Sequence, residues 1–194
     1  VLASKGEEAI GSMGDDTPMA VLSKKSRSLY DYFRQKFAQV TNPPIDPLRE
    51  KHVMSLATCV GREQNLFSET TGNAYRVMFN SPILLFSDFN QLLGLDSTNY
   101  RANTVDLNYD GHETLEQAIH RITDEAERLA RSGTTLLILS DRAVDKNAQV
   151  IPAAMAVGAV QRRLVDKSLR CDTNIIVETA SARDPHHFAV LLGF

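Results

Sequence analysis

Residues 171–188, CDTNIIVETASARDPHHF, decide how the rest of the chain is read. Ile175-Ile176-Val177 is β-branched throughout and too short for a helix, so it predicts a buried strand. A turn-like stretch follows at residues 179–183. Asp184 is placed to cap a new helix, with Pro185 at its first position, where a missing N–H costs nothing. The order strand, loop, helix is half of a βαβ unit. Its strand end carries Glu178, Arg183, Asp184, His186 and His187. Sites are usually built at the carboxyl ends of parallel strands, so this cluster is either a site or a well-capped turn.

Working outward, 194 residues with 43% hydrophobic content suffice to bury a core, about one domain's worth. The formal net charge is -3, from 21 basic and 24 acidic residues. That balance has no basic surplus, so neither nucleic acid nor a membrane is expected as a partner. No apolar run approaches the roughly 20 residues of a membrane-spanning helix. Lys5, Glu7 and Glu8 interrupt the opening residues, which do not read as a signal peptide. Cys59 and Cys171 lie far apart beside apolar neighbours, which predicts free buried thiols in a reducing, cytoplasmic setting. The chain opens on Val1 rather than Met and stops at Phe194 with a further strand due, so a piece of a longer chain is expected.

Residues 1–22 contain GSMGDDTPMAVL and read as an irregular linker. Gly11 and Gly14 alone, with no preceding strand and no lysine at the required spacing, make a poor phosphate loop. Residues 26–40 predict an amphipathic helix with Leu29, Phe33, Phe37 and Val40 on one face. Three prolines, Pro43, Pro44 and Pro47, end it. A short helix is expected at residues 48–54, and strands at 56–60 and 75–79. Gly72-Asn73 reads as a turn between Leu66-Phe67 and Tyr75, and a helix start is expected at Ser87-Asp88. This half reads as a small mixed region.

The regular half begins near residue 103. Residues 104–109 predict one strand, with Val105 and Leu107 on its buried face. Thr114 and Gln117 have the spacing of a capping box. The following helix turns Leu115, Ile119, Ile122, Ala126 and Leu129 inward, and Gly133 stops it. Asp124 with Arg128, and Glu127 with Arg131, are expected as exposed pairs one turn apart. Residues 134–139 predict a buried strand and 140–149 a polar loop. A helix opened by Pro152 runs to Leu169, and residues 174–177 form the next strand. The predicted class is α/β: βα units with a mainly parallel sheet, resembling part of a (β/α)-barrel, plus the small mixed region. Residues 23–194 form the domain and 1–22 its linker.

The chemistry in these residues is thin. Adjacent histidines on a helix point about 100° apart, so His186 and His187 seldom share one ion, and no metal-binding spacing is present. The favoured reading is that Asp184 caps while the histidines pack or face water. Asp141 and Arg142, after Ser140, either bind a polar ligand or tie neighbouring strand ends together, and the tie is favoured. An independent α/β enzyme with a site at the strand ends near Ser140 and Glu178 stays as the alternative. The residues alone name no function.

A resemblance does. The segments GSMGDDTPMAVLS, YDYFRQKFAQVTNPPIDPLREKHVMSLAT, SPILLFSDF and CDTNIIVETASARDPHHFAVLLGF resemble the central domain of the bacterial glutamate synthase large (alpha) subunit. The match extends over nearly the whole chain. It implies a parent with an amino-terminal glutaminase domain, whose first residue is a nucleophilic cysteine, and an FMN-binding barrel with an iron-sulfur cluster. That parent makes two glutamates from glutamine, 2-oxoglutarate and reducing equivalents, passing ammonia internally. It also implies a small electron-input subunit as a partner. Val1 is not cysteine, two separated cysteines cannot build the cluster motif, and no glycine-rich FMN loop follows any predicted strand. No catalytic, cofactor-binding or metal-binding residue is therefore carried over. The GDDTP stretch resembles the family segment near the ammonia tunnel, which makes Thr17 a candidate tunnel-lining residue.

Overall fold

The computed structural model describes residues 2–5, 20–34 and 43–194. Two compact units are seen, one made of residues 1–55 with 182–193, the other of residues 56–181 with Phe194.

The larger unit holds an α/β arrangement. Strands β3 (Ala102–Asp106), β5 (Leu136–Ser140) and β7 (Asn174–Glu178) form a parallel sheet in the order β3-β5-β7. Helix α4 (Leu115–Arg131) lies between the first two strands in sequence, and α5 (Ala153–Asp166) between the second two. Each strand therefore joins beside its predecessor, and the described residues close no barrel. Two small antiparallel pairs accompany the sheet: β1 (Thr58–Val60) with β2 (Val77–Phe79), and β4 (Asn108–Tyr109) with β6 (Gln149–Val150). Helix α3 (Phe86–Leu93) completes the unit. The smaller unit has α1 (Leu2–Lys5), a 3-10 turn at Leu29–Tyr32, α2 (Pro47–Val53) and α6 (Pro185–Leu192).

The core follows from strand alternation. All five residues of β5 are buried, because both faces of the sheet are covered. Leu137 and Leu139 belong to the face carrying α4 and α5, whose Ile122, Ala126, Val160 and Leu164 are 0% exposed or 7% at most with Leu129 included. Leu136 belongs to the opposite face, where it packs with Val60 and Leu92 and with the half-buried Phe79, Leu84 and Ile176. Gly61 follows β1 at φ +142°, and a Cβ there would stand 2.5 Å from the Tyr75 carbonyl oxygen, so no other residue fits.

The helix signals act as the sequence implies. Thr114 Oγ accepts from Gln117 N at 3.3 Å while the Gln117 side chain accepts from Thr114 N at 2.8 Å. Gly133, at φ +92°, takes the left-handed conformation beyond the end of α4. Asp46 caps α2 through Leu48 N and Arg49 N, and Pro47 opens it.

Five expectations are corrected. Residues 26–34 do not form an amphipathic helix. Ser28 caps only the turn Leu29–Tyr32, and Phe33 is extended. Phe37 and Val40 lie outside the described residues. The single strand at 104–109 is two strands, because Asp106 Oδ1 accepts from Asn108 N at 2.9 Å and turns the chain. Asp124 pairs with Arg163 at 2.7 Å, not with Arg128, which reaches Glu125 at 3.7 Å instead. Helix α5 ends at Asp166 rather than Leu169, with Ser168 at φ 57°. Cys59 is half-buried and Cys171 exposed, since Cys171 sits in the turn before β7 rather than within the strand.

Candidate functional site

The strand ends of the sheet are the best-defined polar cluster. Register puts Ser140 beside Glu178, since both close parallel strands in step. Ser140, 6% exposed, donates from Oγ to Glu178 Oε2 at 2.6 Å. Arg142 donates from Nη1 to the other carboxylate oxygen at 2.8 Å, and its backbone N–H donates to Ser140 Oγ at 3.2 Å. The next residues repeat the tie one step outward. Asp141 N donates to the Glu178 carbonyl at 3.1 Å, and the Thr179 hydroxyl donates to Asp141 Oδ2.

The electrostatics fit a structural tie. Burial alone would push the Glu178 carboxyl up. The Ser140 hydroxyl, the Arg142 hydrogen bond and the Arg142 charge together outweigh burial and hold it below the ordinary glutamate range. Lowering its proton affinity makes this carboxylate a weaker base for a serine hydroxyl, and Arg142 occupies its second oxygen. The arrangement therefore cross-links β5 and β7 and gives Ser140 little nucleophilic activation.

Beside this tie lies an open groove of about 510 Å³, lined by Phe86, Phe89, Asn103, Thr104, Arg142 and Glu178. The Arg142 guanidinium sits 5.4 Å from the Phe86 ring centroid. Sequence reasoning named Arg142 and Glu178 but missed the groove's other walls, because Phe86 and Thr104 meet only through packing.

The second cluster belongs to the smaller unit. Asp184 Oδ1 accepts from His187 N at 2.9 Å, the N-cap geometry expected of it. His187 Nδ1 accepts from Arg183 N at 3.1 Å, and its ring stacks on Tyr30 with centroids 4.4 Å apart. His186 Nε2 lies 3.0 Å from the Tyr30 carbonyl oxygen. The two imidazoles thus serve different partners. Among the described residues no group of three or more His, Cys, Asp or Glu side chains is arranged to hold a metal ion. Likewise, no described helix is long and apolar enough to cross a membrane. Thr17, Gly11 and Gly14 lie outside the described residues.

Neither cluster has the parts of a catalytic constellation, so the sequence's kinship decides the identity. The profile of the family described as "Glutamate synthase central domain" matches residues 1–194. The chain belongs to the glutamate synthase central domain family. This central domain is 40% identical over 195 residues to the ferredoxin-dependent glutamate synthase of Pyropia yezoensis, covering 100% of the chain and 13% of that protein. It is 43% identical over 195 residues to the large chain of glutamate synthase [NADPH] from Azospirillum brasilense, covering 99% of the chain and 13% of the relative. To the corresponding Bacillus subtilis large chain it is 39% identical over 190 residues, covering 98% and 12%. The central domain thus spans about an eighth of the length of these curated relatives.

Proposed function

We propose that this chain is a non-catalytic connecting domain of a glutamate synthase. In this reading residues 23–194 form the domain and residues 1–22 the linker leading into it. The domain stands between a glutaminase domain and an FMN synthase domain of one polypeptide and helps wall the internal ammonia channel. The parent, a cytoplasmic oxidoreductase of ammonia assimilation, makes two glutamates from glutamine and 2-oxoglutarate. Its FMN and iron-sulfur cluster sit in other domains, and a small subunit feeds it electrons. The catalytic residues also lie outside this chain.

One observation carries this reading: the near-equal likeness to relatives named for different electron donors. Identity is 40% to a ferredoxin-dependent enzyme and 43% to an NADPH enzyme, each along essentially the whole chain. A likeness of similar size whichever donor the relative is named for points to a task that does not depend on the donor. The Ser140–Glu178–Arg142 tie supports the same view, since its groups are spent on each other.

The channel assignment is tested at Thr17 in the full-length enzyme. An ammonia channel must keep solvent protons away, because ammonium is not a nucleophile. Thr17→Trp should leave both half-reactions active and uncouple them, so that glutamine consumed exceeds 2-oxoglutarate converted. A ratio unchanged from the parent, with the fold intact, removes Thr17 from the channel.

A further inference from the structure

Arg142 carries more donors than the strand-end tie uses. Its backbone N–H goes to Ser140 Oγ at 3.2 Å and its Nη1 to Glu178 Oε1 at 2.8 Å. Among the described residues, none accepts from Nε or Nη2. Those two nitrogens form one edge of the guanidinium, a pair of parallel donors that fits the two oxygens of a carboxylate. The edge is held in place rather than free to swing. Glu178 fixes one side of the group, and the Phe86 ring centroid lies 5.4 Å from its central carbon. Fixing a long side chain before a ligand arrives removes part of the entropy cost of binding. The Arg142 side chain is still 66% exposed, so the open edge is reachable from solvent.

The groove beside this edge has the size and place of a ligand site. Its volume of about 510 Å³ falls within the roughly 300–1,000 Å³ of small-molecule pockets. It lies toward the carboxyl ends of parallel strands, where ligands collect in α/β sheets. Ile138 lines it from the sheet face that also carries Leu136. Helix α3 is seated on that face through Leu92 against Leu136, nearer the start of β5. Further along the strand the groove stays open, walled on the helix side by Phe86 and Phe89. Phe86 is 68% exposed and Phe89 half-buried, so an apolar wall stands beside a fixed cation with an unused edge. Both Glu178 oxygens are taken, by Ser140 and Arg142, which leaves no free carboxylate there for a ligand's ammonium group.

We propose that this groove binds a monocarboxylic acid with an aromatic or branched apolar body and no ammonium group. The carboxylate sits on Arg142 Nε and Nη2, and the body lies against Phe86, Phe89 and Ile138. Charge complementarity selects the head group, and the aromatic wall selects the body. The site is built wholly from this chain's residues and takes nothing from the connecting-domain reading. Failure of the channel test at Thr17 leaves it intact.

The test is titration calorimetry of the full-length enzyme with phenylacetate as the probe. Phenylacetate should bind saturably and at least about tenfold more tightly than phenylacetamide, which keeps the body and loses the charge. Acetate, which keeps the charge and loses the body, should also bind at least about tenfold more weakly. Arg142→Gln should weaken phenylacetate binding about tenfold or more. Arg142→Lys, which keeps the charge without the fork, should restore it only in part. Phe86→Ala, at an exposed position, should weaken it several-fold. No saturable binding, or equal affinity for the amide, overturns the proposal. Affinity unchanged in both Arg142→Gln and Phe86→Ala would put the ligand elsewhere in the enzyme and overturn it too, and full restoration by lysine would overturn the bidentate geometry. Because Arg142→Gln also removes a strand-end tie, its unfolding midpoint is measured alongside. If that variant does not fold, the amide comparison and Phe86→Ala decide.

Discussion

Glu178 shows how a carboxylate at a strand end is held. Its side chain is 22% exposed, so it forfeits part of its hydration and recovers it from Ser140 and Arg142. Ser140→Ala should destabilise the protein by about 1.5 kcal/mol at neutral pH, the low end for a hydrogen bond to a charged group. The pH dependence has a definite sign. Because the folded-state value is depressed, the stabilisation is complete above the ordinary glutamate value of about 4.3 and is lost as pH falls through the folded value. The Ser140→Ala difference, read by chemical denaturation, should therefore shrink between neutral pH and strongly acid conditions; a difference that grows would contradict the assignment. Asp184 is a simpler case. Its carboxylate satisfies His187 N at the first turn of α6, so Asp184→Ala should cost about 1 kcal/mol. A change near zero in the same measurement would mean that the cap is dispensable.

Helices α4 and α5 show how packing redirects charges that local spacing pairs differently. Glu127 accepts from Arg131 on its own helix at 2.8 Å and from Arg163 on α5 at 2.6 Å. Arg163 also reaches Asp124 at 2.7 Å. One guanidinium thus spans two acidic residues a turn apart, which a single lysine could not do as well. The Arg163 hydrogen bond, then that of Arg131, holds the Glu127 carboxyl below its usual range. A double-mutant cycle on Glu127 and Arg163 should give a favourable coupling that weakens with added salt. The cycle on Asp124 and Arg128 should give none. Equal coupling in the two cycles would mean that the intrahelical spacing rule, not the helix–helix contact, governs these charges.

For the protein taken entire, the proposed role makes a plain demand on the isolated 194-residue chain. It should be colourless and catalyse neither glutamine hydrolysis nor glutamate synthesis. Flavin copurifying at near-equal stoichiometry, seen as visible absorbance, would sink that expectation, as would ammonia release from glutamine above a blank. The demand arises from chemistry already spent. The strand-end serine, carboxylate and guanidinium satisfy each other. In the other unit the His186 ring meets the Tyr30 carbonyl, and the His187 ring meets Arg183 N, Asp184 Oδ2 and the Tyr30 ring.

What the sequence alone determined is whatever depends on near neighbours along the chain. Caps at Thr114 and Asp184, the stop at Gly133, the buried strand at Leu136–Ser140 and the α/β order all rest on spacings of a few residues. Long unbroken similarity likewise sufficed to place the chain in its family. Only the tertiary structure decided the rest. Within the amphipathic pattern read at residues 26–40, the described part, residues 26–34, lost to local turn geometry at Ser28 and to burial of Tyr30, 3% exposed, against a histidine 157 positions away in sequence. A helix pattern states that a face is apolar, but not what will cover it. Arg163 took Asp124 from Arg128 for the same reason, since the partner 39 residues away is brought into reach by helix packing. The groove beside Arg142 has no local signature. It comes from which strands and helices meet, and that follows from burying apolar surface across the whole chain rather than from any one stretch of it.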